Sequence, residues 1–357
     1  MSLAKKLLKS STSDVASLLE SSIFLKERDM ITTPVPMLNV ALSGDVNGGL
    51  TSGVTVLAGP SKNFKSGFAL LFAGAYLNKY EDSALLFYDT EFGMPMNYFE
   101  MFSIPQDRVV HTPISDVEQL KHDVVTQLKT LERGDKVVIV IDSVGNLASV
   151  KEIEDAESGK QVADMTRAKS LKSFFRMVTP LAAMKDIPVI VINHTYMEIG
   201  LYPKAIVSGG TGVYYSADTI WILGRQQEKE GTDVTGYNFI INVEKSRFVK
   251  EKSKLPISVS FDKGIQKWAG MFDVAVDLGY IDSPAKGWYN TSDKCGFGLD
   301  RSAQKFRRSQ AEYDNVFWYR MLEKTDIIQR IKDKYMLSTT DILNSPENEG
   351  KENEETE

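Results

Sequence analysis

Five short apolar runs punctuate the middle of the chain: GVTVLAG (53–59), SALLFYD (83–89), KVVIVID (136–142), IPVIVIN (187–193) and DTIWILG (218–224). They are continuous and rich in β-branched residues rather than alternating, which predicts strands buried on both faces of a mostly parallel sheet. Between them apolar residues recur at helical spacing: Phe68, Leu71, Phe72 and Ala75; then Val117, Leu120, Val124, Leu128 and Leu131; then a third stretch at about 161–184. Strands alternating with helices predict an α/β core. Four of the runs end in glycine or a polar residue: Gly59, Asp89, Asp142 and Asn193. Ligands of open α/β sheets bind beyond the carboxyl ends of the strands, so these endings are expected to converge on one site.

The flanks follow other patterns. Leu3, Leu7 and Leu8 share a helical face and Val15, Leu18 and Leu19 repeat the spacing, so the first ~30 residues are expected to be helical. TTPVPM at 32–37 is a break, because two prolines oppose helix. Beyond about residue 268 comes a smaller aromatic and charged α+β module, mainly packing, and then a polar tail too poor in apolar surface to fold. The expected divisions are 1–35, 36–267, 268–343 and 344–357, with no internal repeat.

Composition changes this picture little. The 357 residues are 42% hydrophobic and 25% charged, ordinary for a soluble globular protein, and no apolar run approaches the ~20 residues of a membrane span. MSLAKKLLKSS lacks the apolar stretch of a signal peptide, and Cys295 is the single cysteine, so a reducing, cytoplasmic setting is expected. Three scattered histidines and that cysteine argue against a zinc site. The net charge of −6 counts against nucleic-acid binding only until it is divided: the last eleven residues, ENEGKENEETE, carry −5, leaving about −1 for the other 346 and room for a basic groove.

The turn after the first run holds Gly59, Pro60, Ser61, Lys62, Asn63, Phe64, Lys65 and Ser66. It matches the phosphate-binding pattern G-x-x-x-x-G-K-[ST] except at Phe64, which stands in place of the second glycine. Strand before and helix after are the context this loop requires. Its backbone N–H groups would hold phosphate oxygens, Lys65 would neutralise the β- and γ-phosphates, and Ser66 would offer its hydroxyl to Mg²⁺. Phe64 is acceptable there if its φ is negative and its side chain packs beneath the loop, away from the phosphates. Asp142 has the form of a Walker B carboxylate that orients Mg²⁺, the alternative being a cap on the next turn. Glu91, just past a strand end, is placed to orient and deprotonate an attacking water, although glutamate after a strand is common.

Taken together, LAGPSKNFKS, KVVIVIDSVGNLAS, DMTRAKSLKSFFR, VINHTY, SGGTG and NVEKSR resemble the RecA family of DNA recombinases, and within it the T-even phage branch, over about residues 10–290. That branch also carries an aromatic where the loop expects glycine. The resemblance implies a RecA-like P-loop ATPase core using ATP and Mg²⁺. It implies Glu91 as the catalytic glutamate, Tyr98 stacked on adenine, and His194 as a γ-phosphate sensor where bacterial members have glutamine. Lys245 and Arg247 match a basic pair that reaches a neighbouring subunit's γ-phosphate, like an arginine finger.

Two segments, about 149–163 and 195–211, follow strands that end at the nucleotide site and are expected to be DNA-facing loops. Gly209 and Gly210 offer backbone N–H groups, Lys204 and Arg167 charge, and Met197 and Ile199 apolar wedges. The first segment is net acidic, so the second carries the stronger expectation. The function implied is ATP-dependent filament assembly on single-stranded DNA, with homologous pairing and strand exchange into double-stranded DNA. The partners implied are further copies of the chain, a recombination mediator and a single-stranded-DNA-binding protein, with no membrane. A ring helicase and a non-catalytic recombination paralogue are the alternatives.

Overall fold

The computed structural model describes residues 2–25, 28–159, 166–200, 203–230, 232–297 and 305–337; the acidic tail, positions 160–163 of the first expected loop and positions 201–202 of the second lie outside these. The helices in chain order are α1 (Leu3–Lys9), α2 (Pro36–Ser43), α3 (Lys65–Lys79), α4 (Met96–Met101), α5 (Val117–Thr130), α6 (Val150–Glu157), α7 (Thr166–Lys185), α8 (Thr211–Ser216), α9 (Met271–Asp277), α10 (Arg308–Glu312), α11 (Asn315–Lys324) and α12 (Ile327–Tyr335). The strands are β1 (Gly53–Ala58), β2 (Ser83–Asp89), β3 (Val109–Pro113), β4 (Lys136–Asp142), β5 (Pro188–Asn193), β6 (Thr195–Met197), β7 (Ala205–Val207), β8 (Thr219–Glu230), β9 (Asp233–Lys245), β10 (Lys254–Ser260), β11 (Gly264–Ile265), β12 (Ile281–Ala285) and β13 (Trp288–Thr291).

Among the described residues nine strands form one sheet, in the order β11-β10-β9-β8-β1-β5-β4-β2-β3. From β8 to β3 every pairing is parallel, as the continuous apolar runs predict. From β8 to β11 the pairings are antiparallel. The residues of β9 and β10 alternate between buried and half-exposed, so they form no continuous apolar run. Side chains of the parallel strands alternate between two cores. Leu57, Phe87, Val140 and Ile192 pack with α2 and α3 on one face. Val56, Tyr88, Ile141 and Val191 pack with α5 and α7 on the other.

The aromatic C-terminal module shares the first of these cores: Trp268, Met271, Phe272, Trp318 and Ile331 are buried in the same cluster as Met37 and Leu38. Gly44 caps α2 with φ +80°, and a Cβ there would lie 2.7 Å from Met336 Cα, so the end of α12 seats directly on that turn. Lys332 pairs with Asp45 at 2.9 Å, and Val249 bridges Met336.

Three expectations change. The N-terminal helix stops at Lys9, and Leu18–Leu19 enter only a short 3₁₀ turn. No residue of α1 is buried, so among the described residues the apolar spacing finds no packing that would stabilise a longer helix. The second proline of TTPVPM, Pro36, begins α2 instead of breaking the chain, because a proline at the first helical position gives up only an N–H that would be unbonded anyway. The first expected loop contains α6, whose N-cap Ser149 accepts from Glu152 N, a pairing legible as S-x-x-E.

Candidate functional site

The parallel strands β1, β2, β4 and β5 deliver their last residues to one edge, where a cavity of about 240 Å³ is lined by Ser61, Lys62, Asn63, Phe64, Lys65, Ser66, Glu91, Tyr98, Asp142 and His194. A second, adjoining cavity shares Ser66, Glu91, Asp142 and Tyr98 with it. Of the four strand endings expected to converge, Asp142 lines both cavities and Asp89 the second, while Gly59 and Asn193 line neither.

Lys65 is buried, with its Nζ donating to Gly59 O (3.1 Å) and Pro60 O (2.7 Å) inside its own loop. Burial pulls its pKa down, while Asp142 and Glu91 push it back. Ser66 Oγ donates to Asp142 Oδ2 at 2.6 Å. Burial raises the Asp142 carboxyl to about 6; the Ser66 hydrogen bond opposes this, nearby Glu91 and Asp89 add to it, and Lys65 opposes it. The Asp142 carboxylate and the Ser66 hydroxyl beside it offer the hard oxygen donors that Mg²⁺ takes. Among the described residues there is no cluster of three or more His, Cys, Asp or Glu residues fit to hold a metal alone. Mg²⁺ holds only one or two carboxylates and takes its remaining ligands from phosphate and water, which fits.

Glu91 is fixed by the zipping of β2 to β4. Thr90 N donates to Asp142 O (2.9 Å) and Thr90 Oγ1 to Ser143 O (2.8 Å), across a cis Asp142–Ser143 peptide. Asp89 Oδ1 accepts from the N–H of Glu91 and of Phe92. The Glu91 carboxylate then takes hydrogen bonds from Ser143 Oγ and Asn146 Nδ2, both 3.1 Å. His194 Nε2 stands 3.5 Å from the same oxygen and is buried, with no hydrogen-bond partner among the described residues. The imidazole lines the same cavity as the phosphate loop. Gly145 makes room for this ring, since a Cβ there would lie 2.2 Å from His194 Cδ2. Ser143, Gly145 and Asn146 sit in the quoted DSVGN stretch, but their type alone assigned them nothing.

Phe64 overturns one expectation. Its φ is +58°, left-handed and not negative, and Lys62 is similar at +64°. The loop needs that backbone turn whatever residue fills it, and a non-glycine residue is strained there by about 1–2 kcal/mol. The ring does pack beneath the loop as expected. It stacks on Phe239 (5.4 Å between centroids, 27°) and meets Phe68 edge-on (5.3 Å, 81°). Aromatic pairs add about 0.5–1.5 kcal/mol each beyond burial, so two of them offset the strain. Gly67 is the price of this arrangement, because a Cβ there would sit 2.4 Å from the Phe64 ring.

Lys245 and Arg247 do not line either cavity. Arg247 Nε donates to Asp218, whose other oxygen accepts from Val54 N at 2.9 Å, so the pair lies toward the start of β1 and the phosphate loop beyond its end. Lys245 Nζ donates to Tyr214 O at 2.7 Å at the end of α8.

The second expected loop, 195–211, begins with a small hairpin in which β6 pairs with β7. Met197 and Ile199 are 60% and 102% exposed, and Lys204 is exposed near them. Gly209 (φ +92°) and Gly210 (φ +76°) form the turn into α8. Arg167 is placed differently: its guanidinium turns inward onto the carbonyls of Leu147 (2.6 Å), Val144 (3.0 Å) and Gly145 (2.6 Å), holding the turn after β4. In this arrangement those carbonyls occupy the donors a DNA phosphate would need.

The family profile described as the RecA N-terminal domain matches residues 16–266, and that of the bacteriophage T4 recombination and repair protein, C-terminal domain, matches 268–331. The recombination and repair protein of Enterobacteria phage T4 is 46% identical over 341 residues, covering 95% of this chain and 87% of that protein. The RecA proteins of Bdellovibrio bacteriovorus and Geobacter sulfurreducens are 24% and 25% identical, covering 81% and 77% of this chain and 75% and 80% of their own lengths. A match running through the whole phosphate-loop core, joined to close similarity along nearly the full length of one member, means that the chain belongs to the RecA family of DNA recombinases.

Proposed function

We propose that this recombinase hydrolyses ATP at the β1/β4/β5 edge, that the site is completed by an adjoining copy, and that the resulting helical filament on single-stranded DNA pairs with and exchanges strands of a homologous duplex. The observation that carries the reading is the convergence of Lys65, Ser66, Glu91, Asp142 and His194 on one cavity. Lys65, freed from its loop carbonyls, neutralises the β- and γ-phosphates. Ser66 and Asp142 hold Mg²⁺, which supplies charge neutralisation between those phosphates. Glu91, held by Ser143 and Asn146, orients a water and takes its proton. Tyr98 lines both cavities and offers its ring to the adenine.

Two features support assembly. Lys245 and Arg247 lie toward the opposite end of β1 from their own loop, which suits a role in a neighbour's site. Among the described residues, Leu3, Leu7 and Leu19 are exposed and β3 is an edge strand with no further neighbour, beside an apolar hollow of Phe87, Met94 and Phe99. An apolar N-terminal segment added to that edge would join copies head to tail.

Mixing Lys65→Ala with Lys245→Ala tests the shared site. Each variant alone is expected to be inactive, and random mixing to restore about a quarter of the sites, read as DNA-stimulated phosphate release. No recovery from the mixture would refute the intersubunit arrangement, and closed rings on single-stranded DNA in electron micrographs would favour a ring helicase. Glu91→Gln is expected to retain nucleotide binding while turnover falls about 10²–10⁴-fold.

A further inference from the structure

The strands that flank the phosphate loop differ in length. β1 ends at Ala58, paired with Ile222, whereas β8 continues to Glu230. Beyond Ile222, β8 therefore has no β1 backbone to bond. The Leu223 carbonyl accepts instead from Asn63 Nδ2 at 2.6 Å, in a buried contact that bridges 160 positions of sequence. The same carbonyl underlies the start of the loop, where a Cβ on Gly59 would come within 2.9 Å of it. Two residues further on, Arg225 Nη1 donates to Lys62 O at 3.0 Å while its guanidinium lies over the Tyr237 ring at 4.6 Å. Phe239, on β9 and paired with Arg225, receives the Phe64 ring. Each contact falls on a loop residue in the left-handed region, Lys62 or Phe64, or on Asn63 between them.

We propose that Asn63 and Arg225 are positioning residues for ATP binding: with the Phe239 ring they clamp the phosphate loop onto the β8–β9 ribbon. The ribbon imposes from outside the backbone shape that glycine at position 64 would permit from within. Neither side chain needs to touch the reacting atoms. Their effect is on how much of the free protein already has its loop N–H groups aimed at phosphate, so loss of the clamp weakens nucleotide binding and leaves the chemical step alone. The proposal rests on the nucleotide reading of this loop.

The test is a titration with a fluorescent ATP analogue and Mg²⁺, beside steady-state hydrolysis, on the full chain. Arg225 is exposed, so its replacement leaves the core intact. Arg225→Ala is expected to weaken analogue binding about three- to tenfold and raise KM to match, with kcat within about twofold. Arg225→Lys, which keeps a donor for Lys62 O, is expected to recover most of the affinity. Asn63→Ala leaves a buried carbonyl unpaired and is expected to cost about tenfold or more in affinity. Unchanged affinity in both alanine variants would overturn the clamp, as would a fall in kcat at unchanged KM. Failure of the unsubstituted protein to bind the analogue would overturn the nucleotide reading itself, which separates the two.

Discussion

The phosphate loop and the Thr195–Val207 hairpin leave the carboxyl ends of neighbouring strands, β1 and β5, yet they are built in opposite ways. The loop is held down through its centre, although Pro60, Ser61 and Lys62 are exposed. Asn63 and Lys65 are buried, Phe64 is wedged among aromatics, and β8 accepts from its centre. The hairpin projects. Tyr196, Met197 and Ile199 are exposed, and its tie to the nucleotide edge is a pair of bonds, Asn193 Nδ2 to Ser208 O at 2.8 Å and Ser208 N to His194 O at 2.9 Å. A loop that must present N–H groups to phosphate gains from being shaped before the ligand arrives. A segment that reports ligand state must be free to move, with one narrow link to the site.

The sharpest attempt to break this contrast is Lys65→Ala. If the loop is the preformed binding element, turnover falls about 10²–10³-fold and stabilisation by Mg·ATP in thermal melts is lost, while the nucleotide-free melting temperature changes little. Asn193→Ala cuts the hairpin's tie. DNA-stimulated hydrolysis is expected to fall about tenfold, with analogue affinity within about twofold; equal losses in both would show that the two elements are one unit. Ile199→Ala, on a fully exposed side chain, is expected to weaken single-stranded DNA binding about threefold in fluorescence anisotropy with no change in melting. The mildest probe is brief trypsin treatment. Lys62 and Lys204 are both exposed, but cleavage needs local opening, so the cut after Lys204 is expected first. Earlier cleavage after Lys62 would contradict a clamped loop.

The sequence pattern marked β1, β2, β4, β5 and the start of β8 because burial on both faces writes itself as an unbroken apolar run, but it missed the parallel edge strand β3, whose residues are half-exposed or exposed. It did not show β9 to β11, whose half-exposed residues look like any polar segment, nor the three-residue strands of the hairpin. Lys65, Ser66, Asp142 and Glu91 were legible from type and position at strand ends. The role of Phe64 was legible only in part: its packing could be anticipated, but its φ is set by the loop and tolerated because Phe68 and Phe239 hold the ring. Arg167 shows the converse failure. A positive charge beside an expected DNA loop suggested phosphate, and only coordinates reveal three carbonyls already using its donors.

The 160-position reach from Asn63 to the Leu223 carbonyl also bears on how the molecule is made. Contacts so distant along the chain form late, after the loop-closure entropy of the intervening segment has been met. A nascent polypeptide still lacking the β8–β9 ribbon would hold the motif's letters without its shape. Competence for ATP would then switch on only when most of the core has left the ribosome, which would keep an unfinished chain from occupying nucleotide or joining an assembly.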